Sequence, residues 1–427
     1  IRLAIAYPIV GDFNPTGDAS WLSGPKDSLP YCGRFVIIPP HLVAKLAGAH
    51  GVDRVERAIS SWSHVVLLLL AQLTHAIGRN DVCDSAAHHS GKLRCIRGAK
   101  PCSRNGFSHA NRTRDAGMAR ALFYGVLEHL TNLTCGFGGR TYAGMPRRFK
   151  RVIHVLDATT IQLVANCLDW AQHRRRKAAA KLHLSLDLQN FLPVIAVVTS
   201  AAQHEVRHAA RLCAKLKAGE IALFDKAFID FQFLWSLTEG GIFFVTRCKE
   251  NMRYRVVNKR LRKPEGNILR DDEILLMHAN ASAHYPKRLP LVTALVEVEG
   301  RGLVEMRFFT NHFQWAASSI VELYKRRWSI EAFFKQIKQT LKPGNFLGHN
   351  ENAIQWQIWT ALLVYILLRF LAWCSQWPHS FIRLFTLLRA LLWDGRDILP
   401  LLKNCGTAGG MPKLLRVPTQ AYLPGFT

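Results

Sequence analysis

Residues 151–164, RVIHVLDATTIQLV, decide how the rest of the chain is read. Ile153, Val155 and Asp157 recur with a period of two, the pattern of a strand with one buried face. Asp157 therefore shares a face with two apolar residues and stands where the apolar run gives way to Ala158, Thr159 and Thr160. KLHLSLDLQ (181–189) and LPVIAVVTS (192–200) are two further β-rich runs. Gln189 and Asn190 read as the tight turn between them, so an antiparallel meander is expected. Next come a helical pattern over 204–216, the short buried run IALF ending at Asp225, a helical pattern over 231–237, and the apolar run IFFVTRC (242–248).

Three strands followed by alternating helix and strand give an α/β fold class, in the order of a ribonuclease-H-like core. The segment 250–311 breaks the alternation with YRVV, EILLMHA, LVTALVEVE and GLVEMRFFT, and reads as a β-rich insertion. Helical periodicity returns from Ala317. Ahead of the core, from Pro40 to Leu133, the pattern is helical, and Gly136, Gly138, Gly139, Gly144 and Pro146 mark a linker. The expected boundaries are a leader of uncertain status over 1–34, an all-α N-terminal DNA-binding domain over 35–145, a catalytic core over 146–249 and 312–400 interrupted by the insertion, and a tail over 401–427. Within the N-terminal domain Ser108 reads as the N-cap of a helix carrying His109, Asn111, Arg112 and Arg114. Those side chains suit phosphates and base edges, and a solvated helix is the other reading.

The chain has 427 residues, 56 Lys and Arg against 30 Asp and Glu, and a formal net charge of +26. An imbalance of that size favours a polyanionic partner over a small acidic ligand. Basic clusters at Arg147–Arg148–Lys150, Arg174–Lys177, Lys259–Lys263 and Lys325–Arg327 spread the charge along the chain, as a long nucleic acid requires. Ten cysteines form no CxxC pair, which points to reduced thiols and a cytoplasmic protein. Cys83, His88, His89, Cys95 and Cys102 match no standard zinc-ligand spacing. The apolar start IRLAIAYPIV lacks the basic leading region and cleavage site of a signal peptide. The stretch 358–374 approaches the length of a membrane span, but Arg369 interrupts it, so a buried core helix and no membrane are expected.

Over 318–341 the sequence predicts one helix. Tyr324, Arg327, Glu331 and Lys338 fall at offsets of 0, 3, 7 and 14 and share a stripe, beside an apolar stripe containing Ile330, Phe333, Phe334 and Ile337. The stripe is open to two readings: a solvated surface with an Arg327–Glu331 pair, or a phosphate-binding face with one metal-binding carboxylate. Asp157 and Asp225 favour the second. A carboxylate at a sheet rim is costly to leave unpaired, and a hard divalent cation compensates it. Convergent carboxylates can hold two Mg²⁺ ions about 4 Å apart, suited to activating a water or a 3′-hydroxyl against a phosphodiester.

With those residues in place the chain resembles the insertion-sequence transposases of the Asp-Asp-Glu kind, specifically the insertion-sequence-four group. Its Tyr-x2-Arg-x3-Glu-x6-Lys signature is complete here as Tyr324, Arg327, Glu331 and Lys338. The resemblance covers roughly residues 35–425. It implies Asp157, Asp225 and Glu331 as catalytic metal ligands for two Mg²⁺, with Mn²⁺ able to substitute, and Tyr324, Arg327 and Lys338 as DNA-phosphate ligands. It also implies double-stranded DNA as partner, both terminal inverted repeats and target, a homodimer that brings two ends together, and a bacterial, nucleoid-associated setting. Ala158 stands where many relatives have Ser, and Phe228 where Tyr is common.

Two other functions are compatible with the sequence. A transposase-derived DNA-binding protein would keep the ligands without cutting. A zinc metalloprotease is suggested by His204-Glu205-Val206-Arg207-His208, which reads HExxH on an expected helix. Against the protease, no third ligand is evident nearby, and proteolysis leaves the charge and the Tyr324–Lys338 stripe unexplained.

Overall fold

Two aspartates that the sequence separates by 68 positions are brought together by strand pairing within one sheet. In the computed structural model, the described residues are 37–52, 59–76, 78–134, 136–140, 149–163, 172–174, 177–261, 263–298, 300, 302–341, 347–394 and 398–404. The leader over 1–34, most of the tail, Arg147, Arg148, Cys32, Cys135, Cys167 and Cys405 lie outside them. The strands are β1 (Ile153–Leu163), β2 (Gln172–Arg174), β3 (Lys177–Asp187), β4 (Pro193–Ser200), β5 (Ile221–Phe224), β6 (Phe243–Arg247), β7 (Tyr254–Lys259), β8 (Ile268–Leu276), β9 (Leu289–Val298) and β10 (Gly302–Thr310). They form one 10-stranded sheet in the order β2-β3-β1-β5-β6-β10-β9-β8-β7, with β4 pairing β3.

β1, β5 and β6 are mutually parallel, whereas β3 is antiparallel to β1, and β4 to β3. The parallel strands need crossovers, supplied by the helices Val206–Cys213 and Phe231–Glu239. One hydrophobic cluster joins Leu156, Ala222, Phe224 and Phe244 of the strands to Ala209 and Leu212 of the first helix and Phe233, Leu234 and Leu237 of the second. Phe224, Phe228 and Phe244 are fully buried, each contributing about 1.5–3 kcal/mol through the area it removes from water. Asp230 caps the second helix by accepting the Phe233 N–H at 2.8 Å.

The segment read as an insertion forms β7 to β10, an antiparallel meander. It continues the same sheet, because β10 pairs with β6 from Phe308↔Arg247 to Thr310↔Val245. The β3–β4 connection is longer than the two-residue turn expected at Gln189–Asn190. Phe191 N donates to Asp187 O (2.9 Å) and Asp187 N to Leu192 O (3.1 Å). Two side chains build this wider turn: Asp187 Oδ1 accepts from Gln189 N and Asn190 Oδ1 from Leu192 N, each at 2.9 Å.

The described residues cluster into two units, one spanning Gly138–Lys335 and the other formed by those up to Phe137 together with those from Gln336 onward. Residues 336–400, expected with the α/β core, therefore group with the N-terminal helices. The reason is the helix Glu351–Cys374, which packs on Gly117–Leu133, Ser61–Thr74 and Arg104–Thr113. It is the helix among the described residues that is long and apolar enough to cross a membrane, and 89% of its most apolar window is buried within the protein. Asn350 caps it by accepting the Ala353 N–H (3.2 Å).

The helix proposed from sequence to read DNA runs over Arg104–Thr113 and is capped by Ser103, whose Oγ accepts the Gly106 N–H (3.2 Å). Ser108 lies inside it and accepts from Arg79 Nη1 (2.8 Å). Asn111 is buried, its Oδ1 taking the His64 Nε2 hydrogen at 2.7 Å. Arg114 is buried too and donates to the carbonyls of Ser60 and Ile59. Of the four side chains offered for base or phosphate contact, only His109 and Arg112 are exposed.

Candidate active site

β1 and β5 run in parallel register from Ile153↔Ile221 to Leu156↔Phe224. Asp157 and Asp225 are the next residue on each, so the two carboxylates leave the paired segment side by side. Asp157 does not end its strand, although the apolar run stops there. β1 continues to Leu163 against β3, where Asp157 pairs with Leu184, and what ends at Asp157 is the pairing with β5. Asp225 opens a 3₁₀ turn, Lys226–Phe228, anchored by the fully buried Phe228.

The third acid comes from a different element. The expected single helix over 318–341 is two helices, Ala317–Lys325 and Ser329–Leu341, separated by a 3₁₀ turn at Arg326–Trp328. A 3₁₀ turn winds more tightly than an α-helix, so the four signature residues do not stay on one stripe. Tyr324 and Arg327 are buried, Glu331 has 45% of its side chain exposed, and Lys338 is exposed. Ile330, Phe333, Phe334 and Ile337 are buried, as their spacing requires.

Tyr324 and Arg327 reach the two aspartates. Arg327 Nη1 donates to Asp157 Oδ2 at 2.8 Å, and its Nη2 lies 3.5 Å from Glu331 Oε1. Tyr324 Oη donates to Asp225 Oδ1 at 3.1 Å, and the guanidinium lies 5.7 Å from the centre of the tyrosine ring. One guanidinium thus joins acids from β1 and from the Ser329–Leu341 helix, and one hydroxyl holds the acid that follows β5. Among the described residues no three His, Cys, Asp or Glu side chains come together as a direct metal-ligating group.

Burial pushes the Asp157 carboxyl up to about 6, and the charges of Glu205 and Asp225 act in the same sense. Arg327 and the Ala158 N–H, which donates to Asp157 Oδ1 at 2.7 Å, act against them without cancelling the rise. For Arg327, burial disfavours the charge, but Tyr324, Asp157, Asp225 and Glu331 outweigh it and raise its pKa. Arg327 Nε is buried with no hydrogen-bond partner among the described residues.

The HExxH pattern is not built as a zinc site. His204 precedes the helix, which starts at Val206, so the two histidines do not stand one helical turn apart. The His208 ring packs 4.4 Å from that of His183, and its Nε2 lies 2.8 Å from Gln203 Oε1. Glu205 pairs with Lys181 Nζ (3.4 Å) and adds its charge near Asp157. This Lys181–Glu205 pair beside Asp157 is not legible in the sequence, because strand alternation says which face Lys181 takes but not what lies across from it.

The fold and site define a mixed α/β protein in which carboxylates follow adjacent parallel strands and a third is delivered by a late helix. The profile of the transposase DDE domain matches residues 148–367, just over half of the chain, and a domain of unknown function matches residues 35–96. The chain belongs to the transposase DDE family and is an enzyme of that class. It is 29% identical over 255 residues to y4zB of Sinorhizobium fredii, a protein named as a transposase, covering 59% of this chain and 70% of that one. It is 28% identical over 226 residues to a protein of Geobacillus stearothermophilus named for insertion sequence element IS5377, covering 52% and 58%. A protein of Synechocystis named for element IS4SA is 23% identical, with 62% and 70% covered. Among solved structures, a piggyBac transposase synaptic complex with hairpin DNA is similar at a TM-score of 0.43 and 10% identity, covering 87% of this chain and 81% of that one.

Proposed function

We propose that this chain is an insertion-sequence transposase of the insertion-sequence-four group. It would cleave DNA at the ends of its element and join the freed 3′-hydroxyl to target DNA. The observation that carries the reading is the convergence of Asp157 and Glu331 on Arg327, and of Asp225 on Tyr324, from three separate elements. The strand order of β4-β3-β1-β5-β6 supports a ribonuclease-H-like core.

The site fits divalent cations. Its donors are hard carboxylate oxygens, and Asp157 and Asp225 follow directly on the paired segments of adjacent parallel strands. Asp157, Asp225 and Glu331 would hold the metal, two Mg²⁺ ions or Mn²⁺ in their place. When bound it would supply Lewis-acid stabilisation of attacking and leaving oxygens.

The protein's own residues position the DNA. Arg327, held between Asp157 and Glu331, places a positive charge beside the acids where a phosphate would approach. Tyr324 orients Asp225 through its hydroxyl. Lys338, exposed on the same helix as Glu331, supplies a further cation to the backbone. Assembly as a homodimer on two transposon ends, in the bacterial cytoplasm, completes the proposal.

Incubation with the terminal inverted repeats of the element and Mg²⁺ tests it: strand cleavage followed by joining is expected. Binding of the ends with no cleavage under Mg²⁺ or Mn²⁺ would support a DNA-binding descendant that no longer cuts.

A further inference from the structure

Beside the Asp225 turn lies a cleft of about 360 Å³ that the mechanism above does not use. Three walls form it: the chain leaving the turn, Ile229–Gln232; the β6–β7 connection, Lys249 and Asn251–Arg253; and the region of the short helix Ala279–His284. Its charge is one-sided. Lys249 and Arg253, with the His278 and His284 rings beside them, stand against a single acid, Asp230, whose Oδ1 is already taken by the Phe233 N–H. Between the cations stand carboxamides, Asn251, Asn280 and Gln232, and apolar surface from Ile229 and Met252. Cations for a phosphate, carboxamides for base edges and an apolar floor are together what a nucleotide needs. The volume is near the lower end of ligand pockets, about 300–1,000 Å³, and admits one nucleotide unit but no duplex.

The cleft is tied to the catalytic acid. Lys249 Nζ donates to the Ile229 carbonyl at 3.1 Å, and Lys226, the residue after Asp225, pairs with Glu250 at 3.2 Å. The β6–β7 connection is thus fastened twice to the segment that carries Asp225.

We propose that this cleft holds one unpaired strand of DNA as it leaves the carboxylates, seating a nucleotide between the β6–β7 connection and the Ala279–His284 helix. The proposal rests on the transposase reading and names a strand-binding site for it. Engagement here would fix the strand relative to Asp225 through the Lys249 and Lys226 contacts.

Fluorescence anisotropy tests it with a labelled single-stranded oligonucleotide and the matching duplex, each across a salt series. The variants are Arg253→Glu and Asn280→Asp, with Lys263→Glu as a charge-matched control outside the cleft. Arg253, Asn280 and Lys263 are exposed, so folding should be retained. The expected result is single-strand binding about tenfold weaker in Arg253→Glu, with the salt slope reduced by about 0.7 or more, and duplex binding changed less than about threefold. Asn280→Asp should weaken the single strand in the same selective way. If the control loses as much single-strand affinity as the cleft variants, or if the cleft variants match the unsubstituted protein, the cleft assignment is overturned while the transposase reading stands. Failure of the unsubstituted protein to bind either DNA would instead count against the transposase reading itself.

Discussion

Arg327 donates to Asp157 at 2.8 Å, joining a buried guanidinium to a carboxylate on a strand 170 residues earlier in the chain. The side chains are only 10% and 18% exposed, so this is a buried pair, and breaking it leaves a desolvated charge. Asp157 is raised to about 6 in the folded protein from an ordinary 3.8. A raised carboxyl costs the fold nothing below the lower value and increasingly destabilises it as pH rises through the upper one, by about 3 kcal/mol in full. Removing Arg327 lifts the Asp157 value further. Arg327→Ala should therefore lose stability by a few kcal/mol at pH 8 and much less at pH 4.5, and urea unfolding at both pH values checks it. A loss independent of pH would show that packing, not the ion pair, is what Arg327 supplies.

Glu331 gives a contrasting expectation. It is half-exposed and 3.5 Å from its partner, the geometry of a weak surface pair. Glu331→Gln should change folding stability by less than about 0.5 kcal/mol. A large shift in urea midpoint would mean that the carboxylate is structural.

Much of this arrangement is legible in the sequence, and the limits have physical causes. Period-two alternation locates β1, and the four apolar residues before Asp225 locate β5, because both describe a local choice of face. The break at Arg326–Trp328 is not legible: no Gly or Pro marks it, and the α-helical offsets through KRRWS are satisfactory. Asn111 and Arg114 look like DNA ligands because their partners, His64, Ser60 and Ile59, lie some 50 residues away. The grouping of Glu351–Cys374 with the N-terminal helices is likewise invisible, since an apolar helix does not state which apolar surface it will meet.

That correction carries its own prediction. Asn111→Ala strands a buried imidazole hydrogen and should cost about 1–3 kcal/mol of stability. His109→Ala and Arg112→Ala, at exposed positions, should stay within about 0.5 kcal/mol. Thermal or denaturant unfolding of the three variants decides it; equal effects would remove the distinction between buried and exposed faces of this helix.

The helical unit should also be acid-sensitive through His64. Burial lowers its pKa from 6.5 to about 3, with Asn111 opposing the shift through the 2.7 Å bond and Arg114 adding to it. The unfolded chain takes up a proton near 6.5 and the folded one does not. Stability is thus full above pH 6.5 and is lost as pH falls toward 3, at about 1.4 kcal/mol per pH unit for this one group. His64→Leu should remove that much slope between pH 6 and 4, whatever its effect at neutral pH. An unchanged slope would mean that His64 is protonated in the folded state.

Catalysis separates the acids from the cations around them. In the proposed mechanism Asp157, Asp225 and Glu331 offer oxygens to the metal, whereas Arg327 and Lys338 offer charge to the DNA backbone. Glu331→Ala should therefore abolish strand cleavage while binding of the transposon end stays within about threefold. Arg327→Ala should weaken the DNA complex and lower the salt dependence of its affinity by about one phosphate contact, a slope change of about 0.9 on duplex DNA. Both are read from one gel series: cleaved product against bound fraction over increasing salt. Cleavage that survives in the Glu331 variant would remove it from the ligand set, because a carboxylate holding the metal cannot be replaced by a methyl group, whereas a residue that merely orients Arg327 can be lost at the cost of rate alone.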